Sequence, residues 1–443
     1  MDKNCLKIFE YELKKEINVP GGFQLSRKEI NAFQILNEKI KMNQGVKNDV
    51  IKFDFFKDKT YISTSSFVGV LKAGGKSIQI IPKLAKGNED SVNYSRQAVR
   101  NLLYMLQFTK QLRIKEVAVS DLTKYSDDFY EVLIHFFIKN LLQIVKNGFN
   151  KEYVRKEDNL FFVKGKIVFN EHLKCNLADH SRFYLHYDEF YEDTPLNRIF
   201  KYTVHLMIKS TNNFSNLKLL QELQFIFSDI EFQKISREDI NRIRFNRLNN
   251  VYEPVFNLAK LFLTNSSLEL SVDEIRTFSF VFDMNLLFEE FIGEFIKKEF
   301  KNEYLKITLQ GPSRYFVENK IINDNLEGPV FQLKPDIQLY SDVADNNPDL
   351  IIDTKYKILN TKNDRKEGVD QSDLYQMNAY SKKYNCGKII LLYPRLAGQT
   401  NKEVVFKIDD GLNIYIRTVD VCRDLKRERL SFKQELESIV RVN

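Results

Sequence analysis

Asp336, Asp353 and Lys355 have types and a spacing that could do chemistry, and they lie in one stretch of the chain, residues 333 to 357, which reads LKPDIQLYSDVADNNPDLIIDTKYK. The runs LKPDIQLY and LIIDTKYK are typical of strands, and the polar segment between them is typical of a long hairpin loop. Because side chains alternate across a strand, Asp353 and Lys355 project from the same face, and strand pairing brings Asp336 beside them. Two carboxylates repel each other unless a cation lies between them, and hard oxygen ligands with open positions suit Mg²⁺. The pattern therefore predicts a metal site with a lysine beside it.

A single Asp-x-Lys is more often an ordinary pair of surface charges, because Asp and Lys are common on protein surfaces. The full pattern here is much less common. Pro-Asp opens one strand, Ile351 and Ile352 begin the next, and Asp-x-Lys follows at the spacing of a hairpin. This arrangement resembles the core of the PD-(D/E)XK nucleases, in which the first acid and the D-x-K acid hold Mg²⁺ and the lysine orients or polarises the attacking water. The resemblance implies a metal-dependent nuclease site.

Two predicted helices flank the hairpin. The first, FDMNLLFEEFIGEFIKKEF, has an apolar stripe at the spacing of a buried helix face, formed by Met284, Leu287, Phe288, Phe291, Ile292 and Phe295. Glu289 lies at the edge of that stripe, where it is either a third acid leaning into the cleft or a solvated helix residue. The second helix, SDLYQMNAYSKKY, has Ser372 as its predicted N-cap and carries Gln376 and Tyr380 on one face. With the strands KIILLYP, EVVFKID and LNIYIRTVDV that follow, the C-terminal region is predicted to be an α/β domain.

A polar, basic segment, LNTKNDRKEGV, follows the hairpin and is predicted to be a loop. Its Lys362, Arg365 and Lys366, together with Lys357 just before it, are candidates for contacts with DNA phosphates. A solvated loop explains these charges equally well.

The composition is that of a globular protein. Hydrophobic residues make up 43% of the 443 residues and charged residues 29%, which excludes a disordered chain. The net charge of +7 permits binding to a polyanion without establishing it. The four cysteines are far apart, and the chain has neither a long apolar run nor a signal-like N-terminus. We therefore expect a cytoplasmic protein without a disulfide framework.

We predict three regions along the chain. Residues 1–90 form a β-rich N-terminal domain, with a first strand over residues 6–13 and a helix opened by a capping box of Ser26 and Glu29. Residues 91–271 form a mainly helical middle region with short strands. Residues 272–443 form the α/β domain.

In the middle region, the segments GKIVFN and YLHYDEFY are predicted to be extended. Thr194 is the predicted N-cap of a helix that begins at Pro195. Residues 211–216 are predicted to be a loop.

One motif imitates a phosphate-binding loop. The sequence GGKS at Gly74 to Ser77 has the ending of such a loop, but the glycine required five residues before Gly75 is replaced by Val70. The residues that follow, SIQIIPKL, favour a strand rather than the helix that would hold the phosphates. We therefore predict a hairpin turn, and no nucleotide binding by this chain.

Further motifs occur in order along the chain. The C-terminal ones are MNLLFEEF, LKPDIQL, IIDTKYK and DLYQMNAYS, and the upstream ones are IQIIPKL, LLYMLQF, VKGKIVFNEHL and YDEFYEDTPLNRIFKY. Together they resemble the McrC family, the endonuclease subunit of McrBC-type restriction systems, including LlaJI-like relatives. The resemblance spans residues 78–393. It implies an α/β C-terminal PD-(D/E)XK nuclease domain, preceded by the β-rich N-terminal domain and the mainly helical middle region.

Carried over residue by residue, the resemblance implies four catalytic residues: Asp336, Asp353, Lys355 and Glu289. The three acids would bind Mg²⁺, for which Mn²⁺ can substitute, and the lysine would assist the attacking water. Two supporting residues, Gln376 and Tyr380, match the Q-x-x-x-Y element of RecB-like nucleases, which helps to position the DNA strand or the catalytic residues.

The resemblance also implies partners. These are double-stranded DNA, which the chain would cleave, and a McrB-like AAA+ NTPase hexamer, a GTPase or ATPase whose hydrolysis it would stimulate. The N-terminal and middle regions, including YDEFYEDTPLNR, are predicted to dock on this motor, although core and turn roles explain the same residues. Two other functions stay open at this stage: a non-catalytic adaptor that activates the motor or holds DNA, and a stand-alone RecB-like repair nuclease. The intact acids and lysine argue against the first, and the middle-region motifs argue against the second.

Overall fold

The structure, a computed structural model, describes residues 3–85, 91–109, 128–272, 275–322, 325–359, 365–396, 398–408 and 411–441. The chain forms two compact units, the first made of Met1–Phe129 with Ser266–Asn443 and the second of Tyr130–Asn265. The three predicted domain boundaries stay predictions. The first unit joins the two ends of the chain because a strand from the C-terminal part pairs with the N-terminal sheet.

The strands are, in chain order, β1 (Cys5–Phe9), β2 (Lys15–Ile17), β3 (Ile51–Phe56), β4 (Lys59–Thr64), β5 (Phe67–Ala73), β6 (Lys76–Ile81), β7 (Glu152–Leu160), β8 (Lys166–Ile167), β9 (Phe183–Tyr191), β10 (Ser266–Val272), β11 (Ile275–Asp283), β12 (Lys306–Leu309), β13 (Arg314–Val317), β14 (Lys320–Ile322), β15 (Asn325–Glu327), β16 (Val330–Leu333), β17 (Ile337–Tyr340), β18 (Leu350–Thr354), β19 (Lys388–Arg395), β20 (Glu403–Ile408) and β21 (Leu412–Asp420). The α-helices are α1 (Arg27–Gln44), α2 (Ser91–Leu106), α3 (Phe129–Val145), α4 (Phe169–Asn176), α5 (Pro195–Ile208), α6 (Phe214–Ile226), α7 (Arg237–Arg242), α8 (Glu253–Asn265), α9 (Met284–Glu299), α10 (Gln371–Tyr384) and α11 (Arg429–Val440). Among the described residues, no helix has the length and apolar character needed to cross a membrane.

The N-terminal part of the first unit contains two sheets. One has five strands in the order β1-β6-β5-β11-β10, and the other has three in the order β2-β4-β3. The predicted capping box opens α1, where Ser26 accepts a hydrogen bond from the backbone of Glu29 and the Glu29 carboxylate accepts one from the backbone of Ser26 at 2.7 Å. The first strand ends at Phe9, earlier than predicted, since Tyr11 adopts a positive φ of 56°.

The GGKS motif forms a hairpin turn, as predicted. β5 and β6 pair antiparallel, with Ala73 opposite Lys76 and a left-handed φ of 60° at Gly74. Gly69, next to Val70 on β5, has a backbone reason to be glycine. Its φ is 134°, and a Cβ at this position would lie 2.0 Å from the carbonyl oxygen of Phe280 in the neighbouring β11.

The C-terminal part of the first unit is built on a six-stranded mixed sheet, in the order β12-β17-β18-β19-β21-β20. On one face Ile351 packs with Met377 and Tyr380 of α10. On the other face Ile337 lies against Gly293 of α9. Helices therefore cover both faces of the sheet, and the predicted α/β arrangement of the C-terminal region is confirmed.

The two helices that flank the hairpin largely follow the prediction. The predicted apolar stripe of α9 is buried. In α10 the N-cap position is held by Asp370 instead of Ser372, and Asn385 in the left-handed conformation ends the helix. Asp370 makes no capping hydrogen bond, and its carboxylate instead contacts Lys357.

The second unit combines helices α3 to α8 with a three-stranded sheet in the order β7-β9-β8. The N-cap at Thr194 and the start of α5 at Pro195 are confirmed. Two predictions need correction. Only two residues of GKIVFN are extended before α4 begins at Phe169, and the predicted loop 211–216 is shortened because Asn213 caps α6 at Phe214.

Polar residues of the stretch YDEFYEDTPLNR form hydrogen bonds and ion pairs within the second unit. Asn197, 1% exposed, donates hydrogen bonds to the carbonyl oxygens of Asn150 at 2.9 Å and Glu192 at 2.7 Å. Arg198 forms a two-pronged ion pair with Asp193, with N···O distances of 2.8 and 2.7 Å. Contacts of this kind explain the polar residues of the motif by local architecture.

Candidate active site

The hairpin that carries the two aspartates is present. β17 and β18 pair antiparallel with Ile337 opposite Ile352. Asp336 comes just before the first residue of this pairing and Asp353 just after the last, so the two aspartates lie at the same end of the hairpin, where the Asp353 charge raises the pKa of Asp336. The two carboxyl groups therefore meet at one end of the hairpin, with Asp353 only 1% exposed and Asp336, just ahead of β17, half-buried.

Asp336 is oriented by the opposite strand. Its Oδ2 accepts hydrogen bonds from the backbone nitrogen of Thr354 at 2.7 Å and from Thr354 Oγ1 at 2.8 Å. Its carbonyl oxygen accepts a third hydrogen bond from the backbone of Gln310 at 2.8 Å. These bonds hold the Asp336 carboxyl group toward β18.

Lys355 lies at the centre of a chain of polar contacts. Its Nζ is 2.7 Å from Asp353 Oδ2 and donates a hydrogen bond to Gln376 Oε1 at 3.1 Å. Gln376 Nε2 in turn donates to the hydroxyl of Tyr380 at 2.8 Å, and that hydroxyl donates to the carbonyl of Lys334 at 3.2 Å. The structure thus brings the predicted Asp353, Lys355, Gln376 and Tyr380 together, and the two residues from α10 hold the lysine ammonium in place.

Glu289, the predicted helix acid, lies near this centre on α9. Its Oε1 accepts a hydrogen bond from Gln310 Nε2, and Gln310 Oε1 accepts one from Lys334 Nζ at 3.0 Å. The Glu289 charge is close enough to raise the pKa of both Asp336 and Asp353. Within the described ranges, however, no three His, Cys, Asp or Glu side chains form a group that could hold a metal ion. Glu289 as a third ligand therefore stays a prediction.

The carboxyl groups and the lysine have shifted pKa values. Burial, the facing Asp353 and then Glu289 raise the pKa of Asp336 well above its ordinary value. Burial also raises the pKa of Asp353, and the Lys355 ammonium offsets only part of this rise. Burial alone would lower the pKa of Lys355, but the Asp353 charge and hydrogen bond outweigh it and the pKa is raised. Lys355 thus keeps its positive charge. The positive charge around the two aspartates is too small to stabilise both of them as anions, so their pKa values are raised.

The donor set at this point fits a divalent cation. Two carboxyl groups lie close together, and the Lys355 ammonium, 2.7 Å from Asp353 Oδ2, supplies one positive charge beside them. Two neighbouring carboxyl groups in a buried position are costly to ionise unless a further cation compensates them. Carboxylate oxygens are the ligands that Mg²⁺ and Mn²⁺ prefer. Asp336 and Asp353 are therefore the two residues suited to hold such an ion.

Sequence reasoning missed one acid beside this centre. Asp373 is 7% exposed and lies on α10 three residues before Gln376, on the face that carries Gln376 and Tyr380. Its Oδ2 is 3.1 Å from the Nζ of Lys357, and its charge adds to the rise in the pKa of Lys355. The signal was available, since residues three and four apart share a helix face.

The predicted DNA-contacting residues fall into three groups. Lys357 is engaged with Asp370 and Asp373 and is thereby tied to the start of α10. Arg365 and Lys366 are exposed. Lys362 lies outside the described residues.

The chain is similar in sequence and in fold to known proteins. It is 24% identical over 338 residues to the type IV methyl-directed restriction enzyme EcoKMcrBC of Escherichia coli (strain K12), an alignment that covers 73% of this chain and 92% of the relative. Its fold is similar to that in the refined half-complex from a tetradecameric assembly of Thermococcus gammatolerans McrB AAA+ hexamers with bound McrC. That match has a TM-score of 0.75 and 22% identity, and it covers 99% of this chain and 100% of the other.

A cryo-EM structure of the Thermococcus gammatolerans McrBC complex matches with a TM-score of 0.55 and 24% identity, over 67% of this chain and 88% of the other. These likenesses show a shared mixed α/β fold. The model of one protein family, described as McrBC 5-methylcytosine restriction system component, matches residues 62–394. That range includes the hairpin with Asp336 and Asp353, the α9 acid and the Gln376–Tyr380 pair. The chain therefore belongs to the family of McrBC 5-methylcytosine restriction system components.

Proposed function

We propose that this chain is the Mg²⁺-dependent DNA endonuclease subunit of a McrBC-like restriction system and has a PD-(D/E)XK catalytic centre. The observation that carries the proposal is the convergence of three groups. Asp336 and Asp353 lie at the same end of the hairpin, close enough for the Asp353 charge to raise the pKa of Asp336, and Lys355 lies 2.7 Å from Asp353. Phosphodiester hydrolysis requires an activated water and compensation of the charge that develops on the phosphate, and these three groups are suited to both needs.

Each residue of the centre has a defined task. Asp336 and Asp353 would hold the Mg²⁺, and the two hydrogen bonds from Thr354 fix the direction of the Asp336 carboxyl group. The chemistry that Mg²⁺ supplies in such sites is Lewis-acid activation of the phosphate and of water. Glu289, held by Gln310, is the third acid of the proposed centre.

Lys355 is proposed to bind the attacking water and to offset negative charge on the phosphate in the transition state. It can do so at neutral pH because Asp353 keeps its pKa raised and the ammonium stays charged. The hydrogen bond to Gln376 aims the ammonium, and the Tyr380 hydroxyl in turn fixes the Gln376 amide. Correct aim matters because a displacement of about 1 Å at a reacting group can cost a hundredfold in rate.

DNA would approach from the side of the basic loop. Arg365 and Lys366 are exposed there and are proposed to contact phosphates, together with Lys362. Lys357 is engaged with two acids of the α10 region, so its proposed role is to anchor that helix beside the site.

We also propose a McrB-like AAA+ NTPase hexamer as the partner, because the similar solved structure is described as McrB AAA+ hexamers with bound McrC. A candidate contact is the sheet of the second unit, where Phe161 and Phe162 are 64% and 62% exposed at the end of β7. Exposed apolar side chains that lie side by side are typical of protein contact sites. The stretch YDEFYEDTPLNR would support this surface from within the second unit, since its polar residues bond to one another.

The docking proposal is tested with point variants of the full chain. Deletion of residues 1–90 is unsuitable, because it would remove three of the five strands from the sheet that contains β11. Phe161→Ser with Phe162→Ser should reduce stimulation of the motor's NTPase, whereas Phe225→Ser, 80% exposed on α6 of the same unit, should not. Equal stimulation by all three proteins would remove the docking assignment and leave the nuclease assignment untouched.

The nuclease proposal is tested with purified chain, the motor, plasmid DNA and MgCl₂. Wild-type protein should cut the plasmid, and chelation of the metal should stop it. Asp353→Asn should abolish cutting, whereas Asp345→Asn, an exposed residue of the hairpin loop, should cut like wild type. Motor stimulation without any DNA cutting would favour the adaptor function, and cutting that is indifferent to the motor would favour a stand-alone nuclease.

A further inference from the structure

The residue after Lys355 is buried on the opposite side of the chain from the lysine. Tyr356 is 2% exposed, and its ring centre lies 5.7 Å from that of Phe288, which immediately precedes Glu289 on α9. Ile351 packs toward α10, and Asp353 and Lys355 lie on that side. Tyr356 therefore lies on the α9 side of the sheet, whereas Lys355 lies on the α10 side, at the position where β18 has just ended.

The hydroxyl of Tyr356 is bound by an acid from the opposite end of the chain. It donates a 2.7 Å hydrogen bond to Oε1 of Glu10, a residue 346 positions earlier. Glu10 is itself 2% exposed and follows β1, where its backbone nitrogen donates to the carbonyl of Ile81 at 2.9 Å. The N-terminal sheet thus fixes the position of the carboxyl group that receives Tyr356.

Lys83, the lysine of the IQIIPKL motif, completes the contact. Its backbone nitrogen donates to the same Glu10 Oε1 at 2.8 Å, and its Nζ donates to the carbonyl oxygen of Tyr356 at 3.3 Å. The Nζ also lies over the ring of Tyr356 at 4.7 Å and that of Tyr11 at 4.2 Å. Hydroxyl, ring and backbone of Tyr356 are therefore all held by residues of the N-terminal part.

This arrangement is more than ordinary core packing. A buried carboxyl group costs stability, and here Oε2 of Glu10 receives no hydrogen bond from the described residues. Burial raises the pKa of Glu10 to about 7 despite the hydrogen bonds from Tyr356 and Lys83, and Asp283 contributes to the rise. Apolar side chains of similar size would fill such a place at lower cost. What the polar contact adds is a fixed direction for Tyr356.

We infer that Glu10, Lys83 and Tyr356 form a clasp, here called the Tyr356 clasp, that positions Lys355 for the proposed cleavage reaction. The inference rests on the proposed function. The backbone nitrogen of Lys355 donates a hydrogen bond to the carbonyl oxygen of Leu392 at 2.9 Å, and the next residue, Tyr356, is held by the clasp. With its own backbone nitrogen and the residue that follows it both held, Lys355 directs its side chain toward Asp353 and Gln376, which the ammonium contacts at 2.7 and 3.1 Å. The three clasp residues are positioning residues, since they act through Lys355.

The clasp also gives a structural role to the lysine of the IQIIPKL motif. Lys83 joins the N-terminal part to the segment that continues β18, since one of its hydrogen bonds goes to Glu10 and another to Tyr356, the residue that follows Lys355.

The direct test is hydrogen exchange of the metal-free chain, read on peptides that cover residues 350–359. Tyr356→Phe keeps the ring and removes the clasp hydroxyl, so exchange of this segment should be about tenfold faster, the scale of one lost buried hydrogen bond. Glu10→Gln keeps an oxygen that can accept from Tyr356 and should give a smaller increase. Tyr252→Phe is the matched control, because that buried hydroxyl donates to the carbonyl oxygen of Gly148 at 3.1 Å within the second unit and not beside residues 350–359. Unchanged exchange in Tyr356→Phe would overturn the clasp.

The functional arm separates positioning from simple stability. In Mg²⁺-dependent plasmid cleavage with the motor, Tyr356→Phe should lower kcat about tenfold and leave the KM for DNA unchanged, because a misaligned lysine affects the chemical step and not DNA binding. Wild-type kcat in Tyr356→Phe would overturn the positioning role. If the wild-type chain itself cuts no DNA, the proposed function fails, and the exchange arm still decides whether the clasp holds residues 350–359.

Discussion

Two buried carboxyl centres lie in the first unit, and they differ in how their charge is compensated. Asp353 faces a second carboxyl group across the hairpin and a lysine ammonium 2.7 Å away. Glu10 faces two hydrogen-bond donors, the Tyr356 hydroxyl and the Lys83 backbone. Of the two Glu10 oxygens, Oε2 accepts no hydrogen bond from the described residues.

We propose that this difference decides which ligand completes each centre. Two neighbouring carboxyl groups offer oxygens to one ion, so a divalent cation would compensate both at once. A lone carboxyl group that already accepts two hydrogen bonds is neutralised most simply by a proton, and the pKa of Glu10 near 7 reflects this. Burial alone therefore does not mark a catalytic acid. The arrangement of the neighbouring charges distinguishes the proposed metal centre from the clasp.

The largest expected effect is on cleavage. Asp353→Asn should reduce Mg²⁺-dependent DNA cleavage by about a thousandfold or more, the scale for loss of a group that acts on the reacting atoms. Glu10→Gln should lose at most about tenfold, since Glu10 acts only through Tyr356. Initial rates of plasmid cutting measure both, with circular dichroism as the folding control. Equal losses in the two variants would mean that the two centres do not differ as described.

The second prediction concerns Glu10 and pH. Its pKa is about 7 in the folded chain and 4.5 as the ordinary value, so the folded state holds a proton that the unfolded state has lost. Stability from this group is fully present below about pH 4.5 and falls as the pH rises to 7, by up to about 3 kcal/mol. Glu10→Gln has no such proton to lose. The melting-temperature difference between Glu10→Gln and wild type should therefore become more favourable to the variant between pH 4.5 and 7, and a constant difference would contradict the raised pKa.

The third prediction concerns the metal. Mg²⁺ at a hundredfold excess over its Kd should stabilise the folded chain by about 2.7 kcal/mol, because it binds only where the folded chain brings Asp336 and Asp353 together. Thermal unfolding over a MgCl₂ titration measures this. Asp353→Asn should remove the shift, and Glu10→Gln should keep it. A shift retained by Asp353→Asn would place the ion elsewhere.

The sequence predicted the centre better than its surroundings. Pro-Asp, Asp-x-Lys and Q-x-x-x-Y are each recognised from residues that are close in sequence. The alternation of side chains along two strands and one hairpin is enough to bring Asp336, Asp353 and Lys355 together. The register that sets Ile337 opposite Ile352 is fixed by the buried faces of both strands. Sequence patterns over a few residues were thus enough to predict strands that are buried on both faces, such as β17 and β18.

The same rules failed on strands with little burial. β7 is exposed over its first four residues, and the run EYVRKEDNL shows no apolar alternation that could predict it. The ribbons β13 with β16 and β14 with β15 were missed for the same reason, since their residues are largely exposed. The clasp was beyond sequence reasoning for a different reason. Its partners Glu10 and Tyr356 are 346 residues apart and share no local pattern.

The smallest expected effect tests how far the metal centre extends along α10. Asp373 is largely buried, contributes to the raised pKa of Lys355 and also contacts Lys357, whereas Asp370 contacts Lys357 from an exposed position. Asp373→Asn should therefore lower cleavage by about fivefold and Asp370→Asn by less than about twofold, in line with a partly buried and an exposed ion pair. Rates measured from pH 7 to 10 should also show the loss of activity beginning at lower pH in Asp373→Asn, because Lys355 gives up its proton more readily there. If both variants behave alike, Asp373 acts only through Lys357, and the centre ends at Gln376 and Tyr380.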